Sequence, residues 1–123
     1  MIKTVGIAGA GSVGSSLMYA MYQSDSENVC LVATGKRAER LLRKGIFVNN
    51  LTFFPKVYSD PAQQINLDLL IIAVKTYSLK NVIEDIRPLI NEKTIILPIE
   101  NGITATSHLR EAFPDNRVLY GIV

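Results

Sequence analysis

Short apolar runs recur along the chain, and the longer segments between them carry apolar residues every three or four positions. Each run is continuous rather than alternating, which is typical of parallel strands covered on both faces. The runs predict strands over residues 4–8, 29–33, 67–74 (the central strand), 94–99 and 117–123. Two shorter strands over 46–50 and 51–58 resemble a hairpin, with Pro55 marking an edge.

The intervening segments have the period of helices with one buried face. They predict helices over residues 12–23, 37–44, 78–90 and 104–113, and a very short one near 60–64. Gly45 is placed to end the second helix, and Pro88 should break the third near Arg87. Alternating strands and helices predict one α/β domain, a doubly wound, mostly parallel sheet with helices on both faces.

Composition narrows the class of protein. The 123 residues are 48% apolar with a net charge of +2, so a globular domain is expected. There is no basic block and no apolar run long enough to span a membrane, so nucleic acid and membranes are not expected partners. The single cysteine, Cys30, is interpreted as a buried, inert thiol in a cytoplasmic protein.

A glycine motif follows the first strand directly. Gly9-Ala10-Gly11-Ser12-Val13-Gly14 has the spacing G-x-G-x-x-G and leads into the first helix. Gly9 would allow a tight turn, Gly11 the approach of a pyrophosphate, and Gly14 close packing of the helix on the sheet. The helix N-terminus would then face the anion. An ordinary glycine-rich turn is the alternative.

Polar or glycine clusters also follow three other strands. They are Thr34-Gly35-Lys36-Arg37, Lys75-Thr76-Tyr77 and Glu100-Asn101-Gly102. Because ligands of such sheets bind at the carboxyl ends of the strands, we expect these clusters to share an edge with the glycine motif.

The cluster after the second strand bears on the choice of cofactor. An NAD site usually has an acidic residue there, whereas Asp25 and Glu27 precede the strand and would lie at its other end. Lys36 and Arg37 stand in that place, and two cations suit a 2′-phosphate. We therefore predict NADP(H). Solvated charges at a helix start are the alternative.

Other polar residues have more than one interpretation. Lys75 is either functional or a lysine whose stem lies along a sheet edge, and Asn101 is either functional or a turn residue. Tyr77 would wall a pocket or cap the core. His108 has no partner at metal-ligand spacing and is interpreted as a surface residue, so no metal site is predicted.

Together these motifs resemble the N-terminal domain of ketopantoate reductases (2-dehydropantoate 2-reductases). The resemblance rests on the glycine motif, Lys36-Arg37, residues 73–77 (AVKTY) and residues 100–103 (ENGI), and it extends over all 123 residues. It implies NADPH-dependent reduction of ketopantoate, a small 2-oxo acid, to pantoate in pantothenate and coenzyme A biosynthesis. It also implies that Lys75 and Asn101 lie beside the nicotinamide ribose and the substrate.

Three departures from the family pattern accompany the resemblance. Glu100 stands where the family usually has Gln, and Pro98 is expected to interrupt the preceding strand. The family's helical second domain, which supplies the catalytic lysine, has no counterpart in residues 1–123, so we expect a cofactor-binding domain that is inactive alone. The face that the second domain would cover is expected to be apolar and to promote self-association.

Two other functions stay open. One is a stand-alone nucleotide-sensing module, although such modules usually keep an acidic residue after the second strand. The other is a different 2-oxo-acid or polyol dehydrogenase of the 6-phosphogluconate-dehydrogenase-like superfamily.

Overall fold

Five parallel strands form the main sheet. A computed structural model describes residues 2–9, 12–74, 79–99 and 103–119. The strands of this sheet are β1 (Val5–Ala8), β2 (Val29–Val32), β5 (Lys56–Tyr58), β6 (Leu69–Ile72) and β7 (Ile95–Pro98). Their order is β5-β2-β1-β6-β7, and every pairing is parallel, as predicted.

The strand β6, predicted to be central because of its long apolar run, lies inside the sheet between β1 and β7, and β1 lies between β2 and β6. From β1 the chain moves outward to β2 and β5, then crosses back to β6 on the other side. The carboxyl ends of β1 and β6 therefore flank the point where the strand order reverses, which is where such sheets bind ligands.

Helices cover both faces of the sheet, as predicted. They are α1 (Ser12–Ser24), α2 (Gly35–Lys44), α3 (Leu79–Ile86) and α4 (Ile103–Ala112). Neighbouring strand residues enter opposite cores: Ile7 packs with Met18 of α1, whereas Ala8 packs with Leu79 of α3. Alternate side chains of a strand point to opposite faces, so a strand buried on both faces must be apolar throughout.

Residues 46–58 differ from the prediction. The segment 51–58 forms two strands, because β4 (Leu51–Phe53) pairs antiparallel with β3 (Ile46–Val48) while β5 joins β2 in the main sheet. Pro55 lies between β4 and β5, where its missing N–H does not interrupt a ladder. The predicted hairpin is confirmed, and its turn consists of Asn49 and Asn50 with φ of 54° and 63°.

Several helix boundaries agree with the sequence analysis. Gly45 follows α2 and donates its N–H to the Leu41 carbonyl (2.8 Å), and α3 gives way to a 3₁₀ turn (Arg87–Leu89) at Pro88. A 3₁₀ turn also forms at Pro61–Gln63. Helix α2 begins at Gly35, two residues before the predicted start.

The last predicted strand is described only in part. Val118 bridges to Ile96 in parallel fashion, and Ile96 exchanges hydrogen bonds with Arg117 and Leu119. Residues 120–123 of that prediction lie outside the described residues.

Candidate functional site

The turn after β1 is pressed against the end of β6. Gly9 has φ of +111°, and a Cβ atom there would lie 2.5 Å from the Ala73 carbonyl oxygen and 2.9 Å from Val74 Cγ1. The Ala73 N–H donates to the Ala8 carbonyl (2.8 Å), so the two strand ends are joined beside the turn. Only glycine satisfies both the backbone angle and the space.

Gly14 brings helix α1 against the same point. A Cβ atom at Gly14 would overlap the Gly9 carbonyl oxygen and lie 3.3 Å from Ala73 Cβ. Gly9, Gly14 and Ala73 therefore form a three-way contact, here called the glycine junction, between β1, α1 and the end of β6. Gly9 has the positive φ that suits a tight turn, and Gly14 makes the close helix contact that was expected, whereas their contact with a cofactor stays a prediction.

Much of the remaining predicted site is not described. Ala10, Gly11, Lys75 and Asn101 lie outside the described residues, as do Thr76, Tyr77, Glu100 and Gly102. Ser12 and Val13 are the first two residues of α1.

The end of β2 carries the predicted cations on the same edge of the sheet as Gly9, because β1 and β2 are parallel and in register (Ile7↔Leu31). Thr34 is extended, and its side chain makes no capping hydrogen bond among the described residues. Gly35 follows with φ of +58° and no described atom within 4 Å of its Cβ position. Lys36 and Arg37 are both exposed in the first turn of α2, which has no acidic residue.

Acidic residues gather at the opposite, amino edge. Asp25 accepts hydrogen bonds from the Asn28 side chain (2.8 Å) and from the backbone N–H of Glu27 (3.2 Å), and these bonds lower the pKa of its carboxyl. Glu27 pairs with Lys56 (3.4 Å). Asp25 and Glu27 thus lie at the end of β2 away from Lys36 and Arg37, as the sequence predicts.

A third carboxylate, Asp68, joins two strands at the amino edge. It precedes β6 and accepts from the backbone N–H groups of Thr4 (3.0 Å) and Lys3 (2.8 Å), which lead into β1. These backbone bonds lower the pKa of the Asp68 carboxyl. Asp68 therefore supports the register of β1 and β6, whose carboxyl ends carry the glycine junction.

Pro98 does not interrupt β7, contrary to the sequence-based expectation. It is buried, pairs in register with Ile72, and is followed by Ile99, whose N–H donates to the Ile72 carbonyl (3.0 Å). Ile96, two residues earlier, bonds to the outer segment 117–119, so position 98 faces the same outer side. The missing N–H of Pro98 therefore removes a donor toward the last segment rather than toward β6.

Sequence reasoning gave no role to Ala73, which both glycines contact. A small residue at the end of an apolar strand opposite G-x-G-x-x-G is the signal that could have found it, since a larger Cβ substituent would meet Gly14. Ser15, directly after Gly14, is also buried and was not singled out.

The remaining sequence predictions concern metal ligands, membrane spans and the cysteine. His108 is exposed on α4, as predicted. Within the described ranges, no cluster of three or more His, Cys, Asp or Glu side chains could hold a metal, and no helix has the length and apolarity to cross a membrane.

Cys30 is buried, and burial raises the pKa of its thiol to about 12. The prediction of a buried, unreactive thiol therefore agrees with its surroundings.

One protein family matches almost the whole chain. The family model described as Ketopantoate reductase PanE/ApbA matches residues 5–123. The chain belongs to the ketopantoate reductase family. This confirms the resemblance on which the sequence analysis relied.

Curated relatives within the family cover nearly the whole chain. The "Uncharacterized oxidoreductase YkpB" of Bacillus subtilis is 34% identical over 120 residues, which are 94% of this chain and 39% of the relative. A 2-dehydropantoate 2-reductase of Listeria innocua is 34% identical over 125 residues, covering 96% of this chain and 40% of the relative. The chain thus spans about two fifths of the length of these relatives.

Solved structures share the fold. A 2-dehydropantoate 2-reductase from Geobacter metallireducens superposes with a TM-score of 0.70 at 29% identity, covering 95% of this chain and 40% of that one. A ternary structure of D-mandelate dehydrogenase with NADH and anilino(oxo)acetate has a TM-score of 0.77 at 25% identity, covering 97% and 40%. This ketopantoate reductase family member therefore shares its α/β fold with a 2-dehydropantoate 2-reductase and with a dehydrogenase whose structure holds NADH.

Proposed function

We propose that residues 1–123 are the NADP(H)-binding domain of an NADPH-dependent 2-dehydropantoate 2-reductase, acting in pantothenate and coenzyme A biosynthesis. The observation that carries this proposal is the glycine junction, which lies at the reversal point of the sheet in a member of the ketopantoate reductase family. We propose a cytoplasmic location, which suits a protein whose lone cysteine is a buried free thiol.

The glycine junction fits the pyrophosphate of a dinucleotide. Gly9 and Gly14 carry no side chain beside the start of α1, and the first N–H groups of a helix have no partner within the helix. A pyrophosphate held there by residues 9–14 would meet N–H donors and the positive end of the helix dipole.

Lys36 and Arg37 support NADPH over NADH. Both are exposed at the carboxyl edge, whereas Asp25 and Glu27, the nearest acidic residues before them in the chain, lie at the amino edge. A 2′-phosphate at the end of β2 would therefore meet two cations, and Arg37 could bind it with two parallel hydrogen bonds. The D-mandelate dehydrogenase structure holds NADH, so this fold also accommodates the cofactor without a 2′-phosphate. The residues after β2 would therefore determine which of the two cofactors binds more tightly.

NADPH, when bound, would supply the hydride. From the family resemblance we propose that Lys75 and Asn101 lie beside the nicotinamide ribose and the 2-oxo acid. The same resemblance places the general acid in a helical domain, so residues 1–123 by themselves should bind NADPH without reducing ketopantoate.

Titration of residues 1–123 with NADPH and NADH, followed by cofactor fluorescence, tests this proposal. We expect tighter binding of NADPH, and we expect Arg37→Ala to reduce that preference about tenfold or more, because charged hydrogen bonds contribute about 1.5–3 kcal/mol. Arg43→Ala, near the other end of α2, is the matched control and should keep the ratio. An unchanged ratio in Arg37→Ala, or ketopantoate reduction by residues 1–123 alone, would contradict the respective part of the proposal.

Reduction of a different 2-oxo acid is the second candidate. The observation that favours it is the structural likeness to D-mandelate dehydrogenase, whose ternary structure holds anilino(oxo)acetate, an N-aryl oxamate with the shape of an aryl 2-oxo acid. Comparing kcat/KM of a full-length enzyme that contains this domain for ketopantoate and for an aryl 2-oxo acid would separate the two candidates. A higher value for the aryl compound would favour the second.

A further inference from the structure

Two phenylalanine rings are exposed on the outer face of the β3–β4 hairpin. Phe47 is 66% exposed and Phe54 is 57% exposed. Ile46 pairs with Phe53, and the Phe53 ring lies 4.9 Å from that of Tyr22 in α1, so this pair forms the inner face. Side chains alternate along strands, so Phe47 and Phe54 both point to the outer face.

Gly45 positions Phe54 beside Phe47. A Cβ atom at Gly45 would lie 2.9 Å from Cδ2 and Cε2 of Phe54, so the ring rests on bare backbone at the end of α2. With Phe47 opposite Thr52, Phe54 is the diagonal cross-strand neighbour of Phe47. Phe54 is therefore held at the end of α2, and Phe47 lies diagonally across the hairpin from it.

Helix α2 is strongly basic, although the whole chain has a net charge of only +2. This concentration of charge contradicts the expectation from the sequence that the chain has no basic block, on which the exclusion of nucleic acid rested. Its one acidic residue is Glu39, and its five cations are Lys36, Arg37, Arg40, Arg43 and Lys44, all exposed. Ala38 and Leu41 form its inner side, so Lys36, Arg40 and Arg43, spaced four and three residues apart, share its outer side. No Asp or Glu occurs from Arg40 through Tyr58.

We propose that this aromatic–basic surface, formed by the outer side of α2 together with Phe47 and Phe54, binds single-stranded nucleic acid. Phosphates would follow the cations along α2, which is about 15 Å long, and bases would stack on the two rings. Proteins that bind single strands without sequence preference combine these two features. A second copy of the chain would oppose three cations of this surface with three cations, and a purely acidic segment would leave the rings uncovered.

Fluorescence anisotropy with fluorescein-labelled dT12 and rU12 tests the proposal on the full chain at 50 and 150 mM NaCl. We expect binding that weakens with salt. Arg40→Ala and Arg43→Ala should each reduce the slope of log Kd against log salt by about one. Phe47→Ala and Phe54→Ala should each weaken binding about tenfold and keep the slope. Lys93→Ala, in an exposed turn away from α2, and Leu51→Ala, on the inner row of the hairpin opposite Val48, should change neither.

Other outcomes would overturn the proposal. Absence of binding at 50 mM NaCl would do so directly. If polyglutamate of equal length bound as tightly and Phe47→Ala left affinity unchanged, the surface would be one for acidic proteins. If the chain bound no oligonucleotide but sedimented as a dimer at high concentration, and Phe47→Ala abolished the dimer, the surface would bind a second copy of the chain. The NADPH affinity of the Phe47 and Phe54 variants should equal that of the parent chain, so this test does not depend on the proposed cofactor role.

Discussion

The carbonyl oxygen of Gly9 occupies the position that a Cβ atom at Gly14 would need. The first turn of α1 therefore packs directly on Gly9, the residue that follows β1, and Ala73, which follows β6, completes the contact. Because β1 and β6 flank the reversal point of the sheet, this contact sets the place of any ligand that binds at the start of α1.

Gly14→Ala should destabilise the domain and abolish dinucleotide binding. The added methyl group collides with backbone, which cannot rotate away as a side chain can, so α1 must shift from the end of β1. Overpacking of this kind costs about 1–3 kcal/mol. Urea unfolding followed by circular dichroism measures the change, and NADPH titration of the remaining folded protein measures the binding. Unchanged stability would show that α1 can move at no cost.

Comparing Gly9→Ala with Gly35→Ala separates two costs in the free energy of unfolding, that of a left-handed backbone and that of a steric collision of the added methyl group. Gly35 has φ of +58° with no described atom near its Cβ position, so its substitution should cost only the left-handed conformation, about 1–2 kcal/mol. Gly9 combines φ of +111° with a collision 2.5 Å from the Ala73 oxygen, so its substitution should cost more. Chemical denaturation of both variants provides the comparison. Equal losses would mean that the contact with Ala73 is readily relaxed.

The apolar runs were sufficient to predict the sheet and its helices. Continuous runs such as residues 29–33 are required when alternate side chains enter two different cores, as Leu31 and Val32 do. The run 51–58 was predicted to be one strand, and it forms two. Hydrophobicity alone does not show that Pro55 separates a hairpin strand from a strand of the main sheet. The order of the strands was not predicted, since it depends on crossovers that composition does not encode.

The candidate site was predictable where local backbone chemistry dictates the residue. A tight turn and a close helix contact both require glycine, so the motif at Gly9 and Gly14 could be read directly. Ala73 lies about sixty residues away from both in the chain, and its contact with them depends on the pairing of β1 with β6. The Phe54 ring likewise reaches the end of α2 at Gly45 only through the hairpin register.

Asp68→Asn should remove part of the acid sensitivity of the domain. Hydrogen bonds from Thr4 and Lys3 lower the pKa of Asp68 in the folded state below its ordinary value of 3.8. As the pH falls, the unfolded chain therefore takes up the proton first. The stabilisation by Asp68 is fully present above the unfolded pKa and is lost as the pH falls through the lower, folded value.

The free energy of unfolding of parent and Asp68→Asn proteins, measured by urea between pH 6 and pH 2.5, checks this expectation. Asp68→Asn should be less stable at pH 6, and the difference should shrink as the pH falls below about 4. Asp115→Asn, in the exposed turn after α4, is the control and should show a smaller difference. A difference for Asp68→Asn that stays constant with pH would exclude an ionised carboxylate as the source of the stabilisation.

Cys30 should react with thiol reagents only after unfolding. It is 2% exposed in β2, and burial raises its pKa from 9.0 to about 12, so the folded protein holds almost no thiolate at pH 8. Labelling with a disulfide reagent at pH 8 should therefore increase along a urea titration in parallel with the loss of circular dichroism.

The same thiol should make the free energy of unfolding depend on alkaline pH. Because the unfolded thiol ionises near pH 9, stability should fall as the pH rises from about 9 toward 12, where the unfolded state releases a proton that the folded state retains. Cys30→Ala removes both the labelling and this part of the alkaline dependence, and it serves as the control. Rapid labelling without urea would mean that β2 opens locally, in which case the central sheet would be less stable than its burial implies.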